Sequence, residues 1–395
     1  MLGGSAQQVV AINAARDMGY YTVLCDYLSD NPGQYVADKY YNTSTTDIES
    51  VFEIAKKEQV CGILAYASDP AALPAAIVAD RLGLPTNPPE AVEILGVKHK
   101  FRHFLSENRF ACPKFHTFHP TDDIYEIKQY INDFSFPIVV KPTDSSGSKG
   151  VSILNNIDSL TEAILCADIY SRNKILIAEE FILRGFPDVI GGDIFVNEGK
   201  VVLFGEMTCI RGDYGKGLVP IGERWPGGLD KKATERIHYE LQRLVDILGI
   251  RFGELNIEIL LDNDDNVHFL EVGPRAGGNM IPLQLSDAFG VDLVKANISA
   301  AMGENVCFDV KIQSGSFVTY VLHSYVEGIF QDVVFSDEIA PHVYRKVLYK
   351  KPGDVVETFD GAGKAIGIIF LYFETITQMN RYCNSMEEMV KIILK

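Results

Sequence analysis

Nothing in this 395-residue chain arranges cysteine into a framework. The seven (Cys25, Cys61, Cys112, Cys166, Cys209, Cys307 and Cys383) are scattered and odd in number, with no Cys-x-x-Cys. That pattern fits a reducing compartment and excludes a Cys-rich zinc site. Long apolar runs are also missing: the best of them, residues 366–373, is far shorter than the roughly 20 residues of a membrane helix. The opening residues carry no basic flank and apolar core of the secretory type, so the expected location is the cytoplasm, with no membrane partner. Basic charge is scarce. Lys and Arg number 36 against 53 Asp and Glu, a net charge of -17, which argues against a nucleic-acid backbone as partner.

Two nucleotide signatures are absent too. Gly3-Gly4-Ser5 lacks the Gly-x-Gly-x-x-Gly that brings backbone against a pyrophosphate, so Asp26 is only a weak echo of a ribose-binding acid. The P-loop pattern Gly-x4-Gly-Lys-[Ser/Thr] occurs nowhere. No internal repeat is visible. A small anionic ligand such as ATP stays open, because local lysines and a metal ion override the global charge.

What is present is length and apolar content enough for two or three cored domains: 47% hydrophobic and 23% charged residues. Residues 1–86 alternate short apolar runs (21–25, 61–65, 84–86) with helical patterns (6–18, 48–58, 71–82). Such alternation predicts a parallel sheet.

The chemistry concentrates later. Gly253–Gly273 holds two apolar runs around Asp262-Asn263-Asp264-Asp265-Asn266, a hairpin pattern. If Asp262 faces Val267, Glu258 faces Glu271 across the strands at roughly 5 Å, where like charges destabilise the pair. Either both glutamates face water, or a cation such as Mg²⁺ sits between them. Gly-Pro-Arg275-Ala-Gly277-Gly278-Asn follows, adding a guanidinium and bare amides suited to phosphoryl groups and oxyanions.

Upstream, Lys98 and Arg102 share a face of an amphipathic helix, which by itself reads as a solvated basic surface. The strand 136–141 ends in Lys141. It is followed by Thr143-Asp-Ser-Ser146-Gly147-Ser-Lys149-Gly150 and a second strand, a small-residue loop that is either a plain hairpin turn or a flap over phosphates. A strand at 175–182 ends on Glu179-Glu180-Phe181-Ile182.

In order, Lys98, Lys141 with its flap, the Glu179–Ile182 segment and Glu258/Glu271/Arg275 resemble the motifs of the ATP-grasp ligases. The likeness is to the biotin carboxylase, carbamoyl phosphate synthetase half and L-amino-acid ligase branch, and it covers nearly the whole chain. The resemblance implies a mixed α/β and α+β architecture. A Rossmann-like domain would occupy 1–97, an ATP-grasp domain 98–305 with its lid near 113–182, and a small β-rich domain 306–395.

By the same resemblance Lys98 (Lys100 the alternative) and Lys141 hold nucleotide phosphates, and Ser146 and Gly147 cover them. Glu179, Glu180, Phe181 and Ile182 surround the adenine. Glu258 and Glu271 bind Mg²⁺, with Mn²⁺ admitted, and Arg275 and Gly278 serve the reacting groups. The chain departs from the pattern twice. Asp188 is the nearest candidate for the ribose-binding acid, and Gly273 stands where many members carry a metal-binding asparagine, a place Asn256, Asn279 or water would fill.

The implied activity joins a small-molecule carboxylate to an amine through an acyl phosphate, with ATP as the energy source. Bicarbonate activation and nucleotide binding without turnover are the alternatives. Related enzymes are often homodimers.

Three further expectations are local. Residues 209–228, glycine-rich, without periodicity and holding Arg211, Lys216 and Arg224, read as a loop covering the acceptor. His323 reads as structural. Residues 385–394 read as a helix.

Overall fold

The structure is a computed structural model that describes residues 1–145, 149–212 and 219–395. In chain order the elements begin α1 (Ala6–Asp17), β1 (Val23–Asp26), β2 (Lys39–Asn42), α2 (Ile48–Lys57), α3 (Asp69–Arg81), α4 (Pro89–Gly96) and α5 (Lys98–Glu107). Then come β3 (Phe115–Phe118), α6 (Ile124–Ile131), β4 (Ile138–Pro142), β5 (Ser152–Leu154), α7 (Leu160–Tyr170) and β6 (Leu176–Glu180). The middle of the chain gives β7 (Ile190–Asn197), β8 (Lys200–Arg211), β9 (Pro220–Trp225), α8 (Lys231–Leu248), β10 (Gly253–Leu261) and β11 (Val267–Gly273). The last third gives α9 (Ile281–Phe289), α10 (Leu293–Ala301), β12 (Ser316–Leu322), β13 (Gly328–Phe335), β14 (Val343–Leu348), β15 (Val355–Val356), β16 (Gly367–Phe373), α11 (Ile376–Cys383), α12 (Met386–Met389) and β17 (Val390–Leu394).

By compactness the chain forms two units, neither continuous in sequence. One gathers Met1–Val92, Ile190–Ile257 and Gly273–Lys395; the other gathers Glu93–Val189 and Glu258–Val272.

The first, larger unit is built on a sheet ordered β10-β7-β8-β9-β12-β16-β14. The inward residues of β12 and β16 are almost all apolar and form a continuous core with Phe330, Ile339 and Met379. α8 shows why sequence makes helix here. Ala233, Ile237, Leu241, Leu244, Val245 and Leu248 recur at three- and four-residue intervals and are buried. Asp230 caps its start, accepting from Ala233 N–H, and Gly249 ends it in the left-handed region at φ 66°.

The second unit is an antiparallel sheet ordered β3-β6-β4-β5, carrying the turn end of the β10–β11 hairpin in the same unit. Ile138 and Val140 of β4, Leu176 and Ala178 of β6, and Leu160, Ile164 and Ala167 of α7 make its core. α5 lies against β11 through aromatic rings: Phe101 and Phe110 approach Phe269 with centroids 6.5 and 5.8 Å away.

Several local expectations change. Residues 61–65 and 84–86 are not strands, and β1 pairs in parallel with β2 alone, extended by a single bridge from Leu2 to Cys25. Short apolar runs can be buried without joining a ladder. The 209–228 stretch is not one long loop: β8 and β9 pair antiparallel within it, Cys209 opposite Glu223 and Ile210 opposite Gly222. Its Lys216 lies outside the described residues. Residues 386–389 are only one helical turn, after which β-branched Val390-Lys-Ile-Ile-Leu becomes β17 and pairs with β13.

Candidate active site

In the second unit α5 places Lys98 and Arg102 one turn apart on the same face. The backbone N–H of Lys98 donates to Thr143 O at 3.0 Å, tying the helix start to the end of β4. Its Nζ donates to Ser145 O at 2.9 Å and to Glu271 Oε2 at 3.0 Å. Lys100, the alternative, pairs with Glu93 at 2.7 Å.

Arg102 is not on a solvated face. Among the described residues it is the largest fully buried side chain, at 0% exposure. Its Nε donates to Glu179 Oε2 at 2.9 Å, its Nη1 to Phe269 O at 3.1 Å and its Nη2 to Leu270 O at 3.1 Å. Glu179 bonds Lys141 as well, so one carboxylate joins two cations. Burial by itself would raise Glu179, but Arg102 and Lys141 outweigh it and hold the carboxyl down at about 2. Burial lowers Lys141, against the attraction of Glu179. Glu180, next on β6, accepts from Ser135 N–H at 2.8 Å, and Phe181 N–H donates to Pro137 O at 3.0 Å. Ser146 and Gly147 lie outside the described residues. β4 and β5 on either side of them pair antiparallel, Ile138 opposite Leu154, so the loop joins two strands with no helix behind it.

Glu258 and Glu271 stand on the two arms of the hairpin. Its turn closes one residue earlier than expected: Asp262 N–H donates to Asn266 O at 3.3 Å. The reason is the Asp262 carboxylate, which accepts from the N–H groups of Asp264 and Asn266, from Asn266 Nδ2 and from His268 Nε2. At the turn itself Asp262 therefore meets Asn266 rather than Val267.

Both glutamates are half-buried. The Lys98 ammonium already sits where a cation is wanted, on Glu271. Among the described residues no group of three or more His, Cys, Asp or Glu could cage a metal. Carboxylate oxygens are nonetheless the donor chemistry that suits Mg²⁺, which is seldom held by an all-protein cage.

The first unit carries Arg275 and the glycines. Arg275 Nε donates to Asp69 Oδ1 at 2.7 Å, at the first turn of α3, and Nη1 donates to Ala276 O at 3.1 Å. Gly277 N–H donates to Asp193 Oδ2 at 2.8 Å. A Cβ on Gly277 would stand 2.6 Å from Asp193 Oδ1, so glycine is required there. Gly278 is looser, with Gln7 Oε1 at 3.6 Å as the nearest atom. Asn256, considered as a metal ligand, donates its side-chain amide to Asp193 Oδ1 at 2.8 Å and to Gly192 O at 2.9 Å. Asn279 and Met280 are consecutive left-handed residues, φ 50° and 57°, leading into α9.

Sequence reasoning passed over Asp193 and Glu254. They are fully buried and face each other, and burial raises both, Asp193 to about 6. Two carboxylates in this position share a proton. Glu254 also borders a cavity of about 90 Å³ walled mainly by Ala72, Ala76, Asn297 and Ala301. The only advance signal was an acid inside an apolar strand, Gly253-Glu-Leu-Asn-Ile. His323 is structural as expected: its Nδ1 lies 2.7 Å from Val321 O, and Phe359 and Tyr325 pack on the ring.

The match to a family model over more than half of the chain, with the fold that goes with it, makes this an ATP-grasp protein. Residues 98–307 match the family of the carbamoyl-phosphate synthase L chain, ATP binding domain, and the chain belongs to that family. The carbamoyl phosphate synthase large chain of Thermotoga sp. (strain RQ2) is 24% identical over 309 residues, 74% of this chain and 26% of the relative. The C-terminal section of the large chain from Aquifex aeolicus is 23% identical over 75% of this chain and 54% of its own length. This chain thus spans about a quarter of the full large chains it matches. Among solved structures, L-amino acid ligase from Bacillus licheniformis superposes with TM-score 0.82 at 19% identity, covering 100% of this chain and 98% of that one. Phosphoribosylglycinamide synthetase from Anaerococcus prevotii gives 0.79 at 20%, with the same coverage. These likenesses show the fold. Among the described residues no helix is long and apolar enough to cross a membrane.

Proposed function

We propose that the chain is an ATP-dependent carboxylate–amine ligase acting in the cytoplasm on small-molecule substrates. Lys98 and Lys141 hold the nucleotide phosphates, covered by Ser146 and Gly147. The backbone at Glu180–Ile182 reads the adenine beside Glu179, and Asp188 takes the ribose. Glu258 and Glu271 would hold Mg²⁺ or Mn²⁺, which when bound would neutralise charge on the β- and γ-phosphates.

An oxygen of the substrate carboxylate attacks the γ-phosphorus as the bond to the ADP oxygen breaks, giving an acyl phosphate. The amine nitrogen then attacks the acyl carbon, phosphate leaves, and the nitrogen loses its proton. Arg275 and the Gly278 amide are assigned to the charge that develops on oxygen in these steps. No side chain forms a covalent bond; positioning and charge neutralisation carry the rate. We assign these roles to the sequential division 1–97, 98–305 and 306–395, and a homodimer as the assembly.

The observation that carries this reading is the second unit's pairing of Lys98 with Glu271 and of Lys141 with Glu179. A phosphate-release screen of acids against amines with Mg·ATP tests it. Release that requires both an acid and an amine is the expected result. Release with bicarbonate alone would replace it with a bicarbonate-activating enzyme, and no release with any pair would leave only nucleotide binding.

A further inference from the structure

The buried cluster around Glu179 has an uneven charge count. Arg102 and Lys141 contribute two positive charges and Glu179 one negative, all on side chains at most a tenth exposed. Remove Arg102 and the remaining pair is neutral, with the Lys141 ammonium fully matched by the carboxylate it already bonds. With Arg102 present, the Glu179 charge is divided between two cations, and one positive charge is left over.

Arg102 is also the group best anchored to hold its share. Beyond Glu179 it reaches two carbonyls, Phe269 O and Leu270 O, immediately before Glu271 in β11. A guanidinium can do this because its donors form a fixed fork. A buried ion cluster is a poor device for stability alone, since apolar replacements of such groups are often neutral or stabilising.

We propose that Arg102 is a positioning residue that takes up the charge of Glu179, leaving Lys141 electrostatically available to an anionic ligand, the phosphate chain of a nucleoside di- or triphosphate. This rests on the reading of Lys141 as a phosphate-binding lysine. Arg102 touches no phosphate in this account; it acts through Glu179.

The test compares full-length variants by calorimetric titration with Mg·ATP and with ADP, each first shown to be folded by its melt. Arg102→Gln keeps hydrogen-bond donors and removes the charge; it should weaken both ligands at least tenfold. Arg102→Lys keeps the charge without the fork and should stay within about threefold of the parent, by the charge argument. Arg102→Gln/Glu179→Gln restores the single surplus charge and should recover to the same level. A purely structural arginine predicts no such recovery, because the double variant has lost more buried bonds than the single.

Equal affinity in Arg102→Gln and parent overturns the inference, as does a double variant no tighter than Arg102→Gln. Should Arg102→Gln not fold, the two charge-conserving variants decide: tenfold weakness in both, when folded, overturns it. A parent that binds neither ligand overturns this inference and the proposed function together. A parent that binds while the variants fail to separate overturns this inference alone.

Discussion

Lys98 Nζ lies 3.0 Å from Glu271 Oε2, an ammonium resting on a carboxylate that the proposed reaction assigns to a divalent ion. Glu271 thus has a positive partner supplied by the chain itself. Metal alone must compete with it, whereas a metal brought in with phosphates gives the lysine a new anion to bond. Lys98→Met should therefore raise affinity for Mn²⁺ alone by about two- to fivefold, the size of a partly exposed ion pair. It should lower affinity for Mg·ATP by on the order of tenfold or more, the value of a lost charged hydrogen bond. Paramagnetic titration of Mn²⁺ with and without nucleotide reads both. Changes of the same sign would break the argument.

Lys141→Ala should lower Mg·ATP affinity by about 1.5–3 kcal/mol, with the fold preserved because Arg102 still satisfies Glu179. Glu179→Gln should do more harm to stability, on the order of 3–5 kcal/mol, since it leaves two buried cations without their carboxylate. Denaturant melts of the two variants side by side make the comparison. A Lys141 variant as damaged as the Glu179 variant would contradict it.

The two glycines after Arg275 should separate cleanly. Gly277→Ala drives a methyl to 2.6 Å from Asp193 Oδ1 and breaks into the network that fixes Asn256. A loss of about 1–3 kcal/mol is expected, the usual range for overpacking. Gly278→Ala has space and should melt within about 0.5 kcal/mol of the parent. Reversal of that order would show that the loop is held differently.

Asp193 and Glu254 predict a pH dependence of definite sign. The Asp193 carboxyl is raised to about 6 when folded, from an ordinary value of about 3.9. A raised pKa means that the folded chain binds the proton more tightly. The stability gained is complete below about pH 4 and is lost as pH climbs through about 6, on the order of 3 kcal/mol for two pKa units. Glu179 works in the other window. Its lowered pKa gives stability above about pH 4.5 that disappears as pH falls toward about 2. Thermal melts from pH 4.5 to 7.5 should fall for the parent and be flatter for Glu254→Gln. Identical slopes would remove the shared proton from the account.

How much of this was readable beforehand depended on distance along the chain. Lys141 and Glu271 stood out as candidates through local context, a strand end and a hairpin, and Lys98 through its place in the order of motifs. Arg102 did not, because a charged residue on an amphipathic helix is placed outside by default. Its burial is decided by Glu179 and by β11, far along the sequence. The β8–β9 pair was missed because glycines and charges break the alternation of its strands, and β17 because Met-Glu-Glu-Met favours helix just before it. Asp193 and Glu254 needed a partner that no local pattern supplies.

The discontinuity of the second unit has a temporal side. Arg102 meets Glu179 only after another 77 residues of chain, and its carbonyl partner Phe269 after 167. At about 5–20 residues per second of synthesis, the guanidinium leaves the ribosome on the order of 8–33 seconds before Phe269 is made. Throughout that interval α5 holds a cation destined for complete burial. The nascent chain therefore has reason to keep this helix undocked until Val272 has emerged, and an early release of the chain anywhere before that point would leave the unit unable to close.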